Sequence, residues 1–118
     1  MFIVISCSTE DSCEPIPKLT TAEAENITDV SATISGNITP PTCDKTVISQ
    51  GFVYGVEISP TIDNAKIVKS GSSISASLNN LMQNTTYYIR TFFENPSGVF
   101  YGNEVMFSTN IGLSLIHI

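Results

Sequence analysis

Three cysteines, one histidine and eleven carboxylates are the side chains with the most chemistry to offer in this chain. A nucleophile needs a base beside it, and a metal ion needs several ligands that converge. The sole histidine, His117, excludes histidine-rich metal sites and most histidine-based catalysis. Cys7 and Cys13 are six apart, a spacing that matches no zinc site, and there is no Cys-x-x-Cys and no Gly-x-Ser-x-Gly. Asp29, Asp44, Glu57, Asp63, Glu94 and Glu104 fall on expected loops and strand ends, where scattered carboxylates serve as solvating charges. The calcium-loop pattern of alternating Asp around a central Gly is missing. The residues therefore predict no catalysis, no cofactor and no metal.

The 118 residues suffice for one domain and are short for two. Eleven acidic against five basic residues give a net charge of −6, which argues against nucleic acid, because phosphate must be met by Lys and Arg. Mean hydropathy is +0.17, but both ends inflate it around a polar, turn-rich body. No apolar run reaches the ~20 residues that a membrane-spanning helix needs.

At the N-terminal end, Val4-Ile5-Ser6-Cys7 resembles a bacterial lipobox, in which the cysteine becomes the lipidated first residue after cleavage. A charged segment and a longer apolar run should precede it, so Met1 reads as an internal start in a truncated gene. The resemblance implies a signal remnant over 1–7, lipidation at Cys7 and a flexible tether over 8–17. At the other end, Leu113 to Ile118 is the hexapeptide that CTG-TCT-CTT-ATA-CAC-ATC encodes. That DNA resembles a transposon end used widely in sequencing libraries. Residues 111–118 are thus expected to be a non-native tail, and His117 no feature of the natural protein.

Between the ends, turn signals recur at roughly ten-residue spacing: Gly36-Asn37, Pro40-Pro41, Ser59-Pro60, Ser70-Gly71, Asn79-Asn80, Asn95-Pro96, Ser97-Gly98. No window shows a helical period. Val30, Ala32, Ile34, Gly36 and Ile38 alternate with polar residues, as do Ile74, Ala76 and Leu78, which predicts two half-buried strands. Residues 47–56 and Thr86 to Phe93 read as central strands, and Val99 to Thr109 as the last. Lys18 to Ala24 reads as a weak first strand and Ala65 to Val68 as a short extra one. About seven strands over 18–110 predict an all-β, immunoglobulin-like β-sandwich.

A specific resemblance sits on this pattern. Leu81-Met82-Gln83-Asn84-Thr85-Thr86-Tyr87-Tyr88-Ile89-Arg90, then Glu94-Asn95-Pro96-Ser97-Gly98, resembles the signature of fibronectin type III domains. Gly51-Phe52-Val53-Tyr54 and Tyr101 to Thr109 look like the variant found in bacterial surface lipoproteins. The resemblance places Tyr87 at the tyrosine corner, where its hydroxyl bonds the backbone upstream. Gln83 stands where the family usually has Pro, and the strand-B Trp of animal members is absent, so Phe and Tyr must fill the core. There is no Arg-Gly-Asp tripeptide, so no integrin-binding loop carries over.

If Tyr87, Ile89 and Phe93 point inward, Tyr88, Arg90 and Phe92 point outward. Val53, Tyr88, Phe92 and Met106 are then expected to form an exposed apolar patch on the outer face of the sheet, with Arg90 stacked on an aromatic neighbour. Once Cys7 is assigned to lipid, Cys13 and Cys43 remain to pair, and the implied fold brings both to the pole of the B–C loop. A bridge there would close a loop of about 30 residues and stabilise by roughly 3–4 kcal/mol. Two free thiols are the alternative.

The functional expectation is a non-catalytic fibronectin type III-like module of a lipid-anchored, outward-facing cell-surface protein. It would act as a spacer or as a binding domain for a protein or glycan ligand. It would touch the membrane only through its anchor and stay monomeric within a longer chain. The alternative is an accessory or carbohydrate-binding domain of a larger glycan-degrading or glycan-capturing surface protein. Deleting residues 113–118 should shift the melting temperature by no more than about a degree or two, as for other untethered termini. A large loss in a thermal melt would make the tail a genuine strand.

Overall fold

The computed structural model describes residues 13–44 and 46–111. They form β1 (Lys18–Thr21), β2 (Ala32–Thr39), β3 (Ser49–Gly55), β4 (Ala65–Val68), β5 (Ser73–Leu78), β6 (Thr86–Asn95), β7 (Gly98–Tyr101) and β8 (Val105–Ser108). One sheet has the order β1-β2-β5, and the other β4-β3-β6, with β7 and β8 sharing the far side of β6. Every pairing is antiparallel. This is the immunoglobulin-like sandwich of fibronectin type III form, with β4 on the edge of the larger sheet beside β3.

Alternation decides what faces inward. Ala32, Ile34, Gly36 and Ile38 of β2 lie opposite Leu78, Ala76 and Ile74 of β5 and Leu19 of β1. From the second sheet come Phe52, Ile89, Phe93 and Phe107, and Tyr87 stacks on Phe107 with centroids 5.7 Å apart. The aromatic payload stands in for the missing Trp. The outer face of the smaller sheet is the complement: Thr20, Thr33, Ser35, Asn37, Ser73, Ser75 and Ser77, short and uncharged, with Lys18 at one corner opposite Thr39.

Two expectations change. Val30, expected on the buried face of β2, is 45% exposed, and the strand starts at Ala32. The Thr28 hydroxyl accepts hydrogen bonds from the amides of Val30 and Ser31, and the Thr28 amide donates to the Ser31 carbonyl. This tight side-chain turn lifts Val30 off the ladder. The single last strand expected over Val99 to Thr109 is two strands. Phe92 faces Tyr101 while Ile89 faces Val105, so β6 advances three residues where its partner uses four. The extra residue is a bulge around Gly102 and Asn103.

The bulge has a structural task. The Gly102 amide still donates to the Thr91 carbonyl at 2.9 Å. Asn103 turns its amide onto β1, accepting from the Thr21 amide at 2.7 Å and donating to the Thr21 carbonyl at 2.9 Å. The Thr21 hydroxyl, buried between the sheets, accepts the Thr91 amide at 2.9 Å. No buried side-chain polar atom among the described residues lacks a partner.

The sheets come close at this crossing. A Cβ on Gly36 would sit 2.5 Å from the Thr20 carbonyl oxygen and 2.7 Å from Thr91 Cγ2. One on Gly102 would overlap the Thr91 hydroxyl. Strand propensity alone would make Gly36→Val stabilising, by up to ~1 kcal/mol. The crowding predicts the opposite sign, a loss of roughly 2–3 kcal/mol in urea unfolding. A stabilised Gly36→Val variant would show that the sheets can part there.

Candidate functional site

The outer face of the larger sheet is the expected contact surface, and the ladder puts the expected residues on it. Val53 lies opposite Arg90 and Lys66, Phe92 opposite Gly51 and Tyr101, and Tyr88 opposite Gly55 and Met106. Exposure is where the structure departs. Val53 and Phe92 are fully buried, Tyr88 and Arg90 are half-buried, and only Met106 is well exposed, at 63%. The contiguous patch of Val53, Tyr88, Phe92 and Met106 is therefore corrected to a much smaller one at Tyr88 and Met106.

The cover is the segment between β3 and β4. It crosses the sheet and is held by residues of β6, β7 and the bulge. Arg90 donates from Nε at 3.0 Å and from Nη2 at 2.5 Å to the Pro60 carbonyl. The Tyr101 hydroxyl accepts the Ile62 amide at 3.0 Å, and a Glu104 carboxylate oxygen accepts the Ser59 amide at 2.5 Å. Pro60 is fully buried. Ser59 adopts φ 55, a left-handed conformation that residues other than Gly and Asn visit at a cost, and here precedes a proline. An Asn64 cap on the Thr61 amide, at 2.8 Å, finishes the strap before β4.

Arg90 does the stacking expected of it, with its guanidinium 4.1 Å from the Tyr101 ring centroid. On the other flank the Lys66 ammonium lies 5.7 Å from the Phe92 ring centroid. Sequence reasoning misses Pro60, Tyr101 and Glu104 as parts of this face. Their only signal is faint: a long β3–β4 connection and an arginine set among aromatics.

At one pole of the sandwich the leader is clasped. Cys13 and Cys43 are joined by a disulfide, with Cα atoms 5.0 Å apart. Beside it the Glu14 carbonyl accepts the amides of Thr42 and Cys43, at 2.9 and 3.1 Å, and the Glu14 amide donates to the Thr42 hydroxyl at 2.7 Å. Asp44 is next; hydrogen bonds from the Thr46 amide and side chain hold its carboxyl below the usual range. At the opposite pole the Tyr87 hydroxyl accepts the Met82 amide at 2.8 Å, the geometry of a tyrosine corner. There the chain leaves the sandwich: the Asn110 amide donates to the Thr28 carbonyl, and the Asn110 carbonyl accepts the Asn84 amide. Cys7 and His117 lie outside the described residues.

Nothing among the described residues gathers three His, Cys, Asp or Glu side chains around one point. No described helix is long and apolar enough to cross a membrane. The site is a strapped sheet face between two clasped poles, suited to packing and contact.

No protein-family model matches the chain, and no curated protein resembles it in sequence. Solved structures do resemble it. The solution structure of the sensor domain of the anti-sigma factor RsgI4 in Pseudobacteroides cellulosolvens superposes with a TM-score of 0.63 and 24% identity. That match covers 81% of this chain and 76% of the other. A shorter form of the same domain gives 0.59 at 21% identity, over 81% of this chain and 96% of that one. A myokine structure gives 0.56 at 17% identity, covering 79% and 96%. At these identities the likeness is one of fold.

The grip of Arg90 on the strap is measurable. Arg90→Ala removes a charged donor pair and a cation–π contact, and should destabilise by roughly 1–3 kcal/mol. Hydrogen exchange should then accelerate at Ser59 and Ile62 while the amides of β2 and β5 keep their relative protection. Unchanged exchange at those two amides would show that Arg90 does not hold the strap.

Proposed function

We propose that this chain is the non-catalytic fibronectin type III-like module of a lipid-anchored bacterial cell-surface protein, and that it serves as a spacer. The supporting observation is the placement of its two ends. The leader is bound to the β2–β3 loop by Cys13–Cys43, and the chain departs past Asn110 at the other pole. The eight residues of β2 between those poles span about 26 Å at ~3.3 Å each. A domain with ends at opposite poles adds its whole length to the separation between its upstream and downstream neighbours in the chain.

With lipid on Cys7, the six steps to Cys13 reach no more than ~20 Å. The clasped pole, with the β2–β3 loop and the β6–β7 turn, would then face the bilayer. The pole of the Thr28–Ser31 turn and the tyrosine corner would face outward.

A binding role is the second reading. Tyr88 and Met106 present a small aromatic and thioether surface, and a protein or glycan ligand would meet it. That a domain of similar fold is the sensor domain of an anti-sigma factor is in keeping with such a role. If so, Met106→Asp should abolish binding without unfolding the domain.

The test of the lipid-anchor reading places a complete lipoprotein signal upstream of Val4-Ile5-Ser6-Cys7 and expresses the chain in a Gram-negative host. Metabolically supplied labelled fatty acid should enter the protein, and whole-cell protease should reach it. Cys7→Ser should abolish both label and membrane retention. Incorporation of label that survives Cys7→Ser, or an unlabelled soluble product from the parent, would overturn the assignment.

A further inference from the structure

We propose that the Cys13–Cys43 bridge is a mechanical shunt, which carries tension past β1 and β2 and delivers it to the central strand β3. The spacer reading supplies the source of the tension; the load path itself rests on covalent connectivity and strand direction.

The bridge closes a covalent ring across a sequence separation of 30. A pull on the chain before Cys13 crosses the two sulfurs to Cys43 and continues into the next residues. Residues 14–42 hang inside the ring, and no tension along the chain can straighten them while the bridge is intact. Both β1 and β2 lie in that shielded stretch. The three hydrogen bonds between Glu14 and Thr42–Cys43 stiffen the same junction.

Without the bridge, tension would reach β1 first. That strand is at the edge of its sheet and shares four register pairs with β2. With the bridge, tension enters at the start of β3 and leaves at the end of β8. Both strands run antiparallel to β6, which lies between them. Pulling the start of one and the end of the other slides them in opposite directions along β6. Ladder hydrogen bonds lie perpendicular to the strands, so this geometry loads them together as a shear. β3 contributes seven register pairs with β6, and β4 flanks its other side. The bridge thus moves the point of entry from a short edge ladder to a long central one, while the exit stays at β8, which shares four register pairs with β6.

Single-molecule pulling of the full chain between handles fused to its two ends tests this. The bridged domain should release about 100 Å less contour length than the Cys13→Ser/Cys43→Ser variant, since 30 residues at ~3.6 Å each stay in the ring. The variant should in addition show an early release as β1 strips from β2 under the load, an event that the bridged domain lacks. A variant shown folded by circular dichroism that gives no such early release would overturn the proposal. If the variant does not fold, the parent is pulled instead from handles at Asp44 and Ile111. Its force must then match the end-pulled value, and a clear difference would mean that tension does not enter at β3. Neither trace depends on where the protein resides, so a failed lipid assignment would leave this result standing.

Discussion

The sandwich turns on one polar crossing between its two sheets. The Thr91 amide, in the gap between the β7 and β8 ladders, has no strand partner on that side and gives its hydrogen to the Thr21 hydroxyl of the opposite sheet. Asn103 closes the arrangement by taking both backbone groups of Thr21. A buried donor left unmatched here would cost about 1–3 kcal/mol, so the network must form whole. Its geometry in turn requires the sheets to approach closely, which explains glycine at 36 and 102. The bulge in the last strand arises from the same need, because a regular strand would keep Asn103 in the ladder and out of reach of β1.

The outer strap depends on this frame at one remove. Tyr101 and Glu104 flank the bulge, and both reach outward to hold backbone amides of the β3–β4 connection. Arg90, on the strand between, completes the grip. The two faces of the larger sheet are therefore coupled: residues within four positions of one another clamp β1 on the inside and the strap on the outside. This makes the face rigid and leaves Tyr88 and Met106 as its accessible remainder.

Much of this is legible from residue types. Period-two alternation locates β2 and β5, because a half-buried strand has few other ways to satisfy both its faces, and an aromatic, β-branched run locates the central β6. The Leu81 to Arg90 motif identifies the corner that Tyr87 makes. Alternation tells which face a side chain is on and says nothing about what lies over that face, so it sends Val53 and Phe92 into solvent. Val30 continues the pattern of β2 perfectly, and a hydroxyl two residues earlier overrides it. The stretch from Val99 to Phe107 hides a bulge whose cause, the orphaned amide of Thr91, is visible only once the strands are paired. The disulfide is implied by the resemblance and a count of three, while the Glu14 contacts beside it involve backbone atoms that no sequence pattern marks.

The order in which a ribosome delivers these parts sets a constraint of its own. β1 and β2 emerge first, yet the other flank of β2 is completed by β5, about 40 residues later. Until then Ile34 and Ile38 have no lid, and the nascent hairpin is a sticky, half-made object. Cys43 appears well before β5, so in an oxidising compartment the ring can close around that hairpin while it waits. The last piece is Asn103, which secures Thr21 from 82 positions away. The opening strand is thus not locked until the domain is nearly complete, and stalled or clipped products should be visible to quality-control proteases up to that residue.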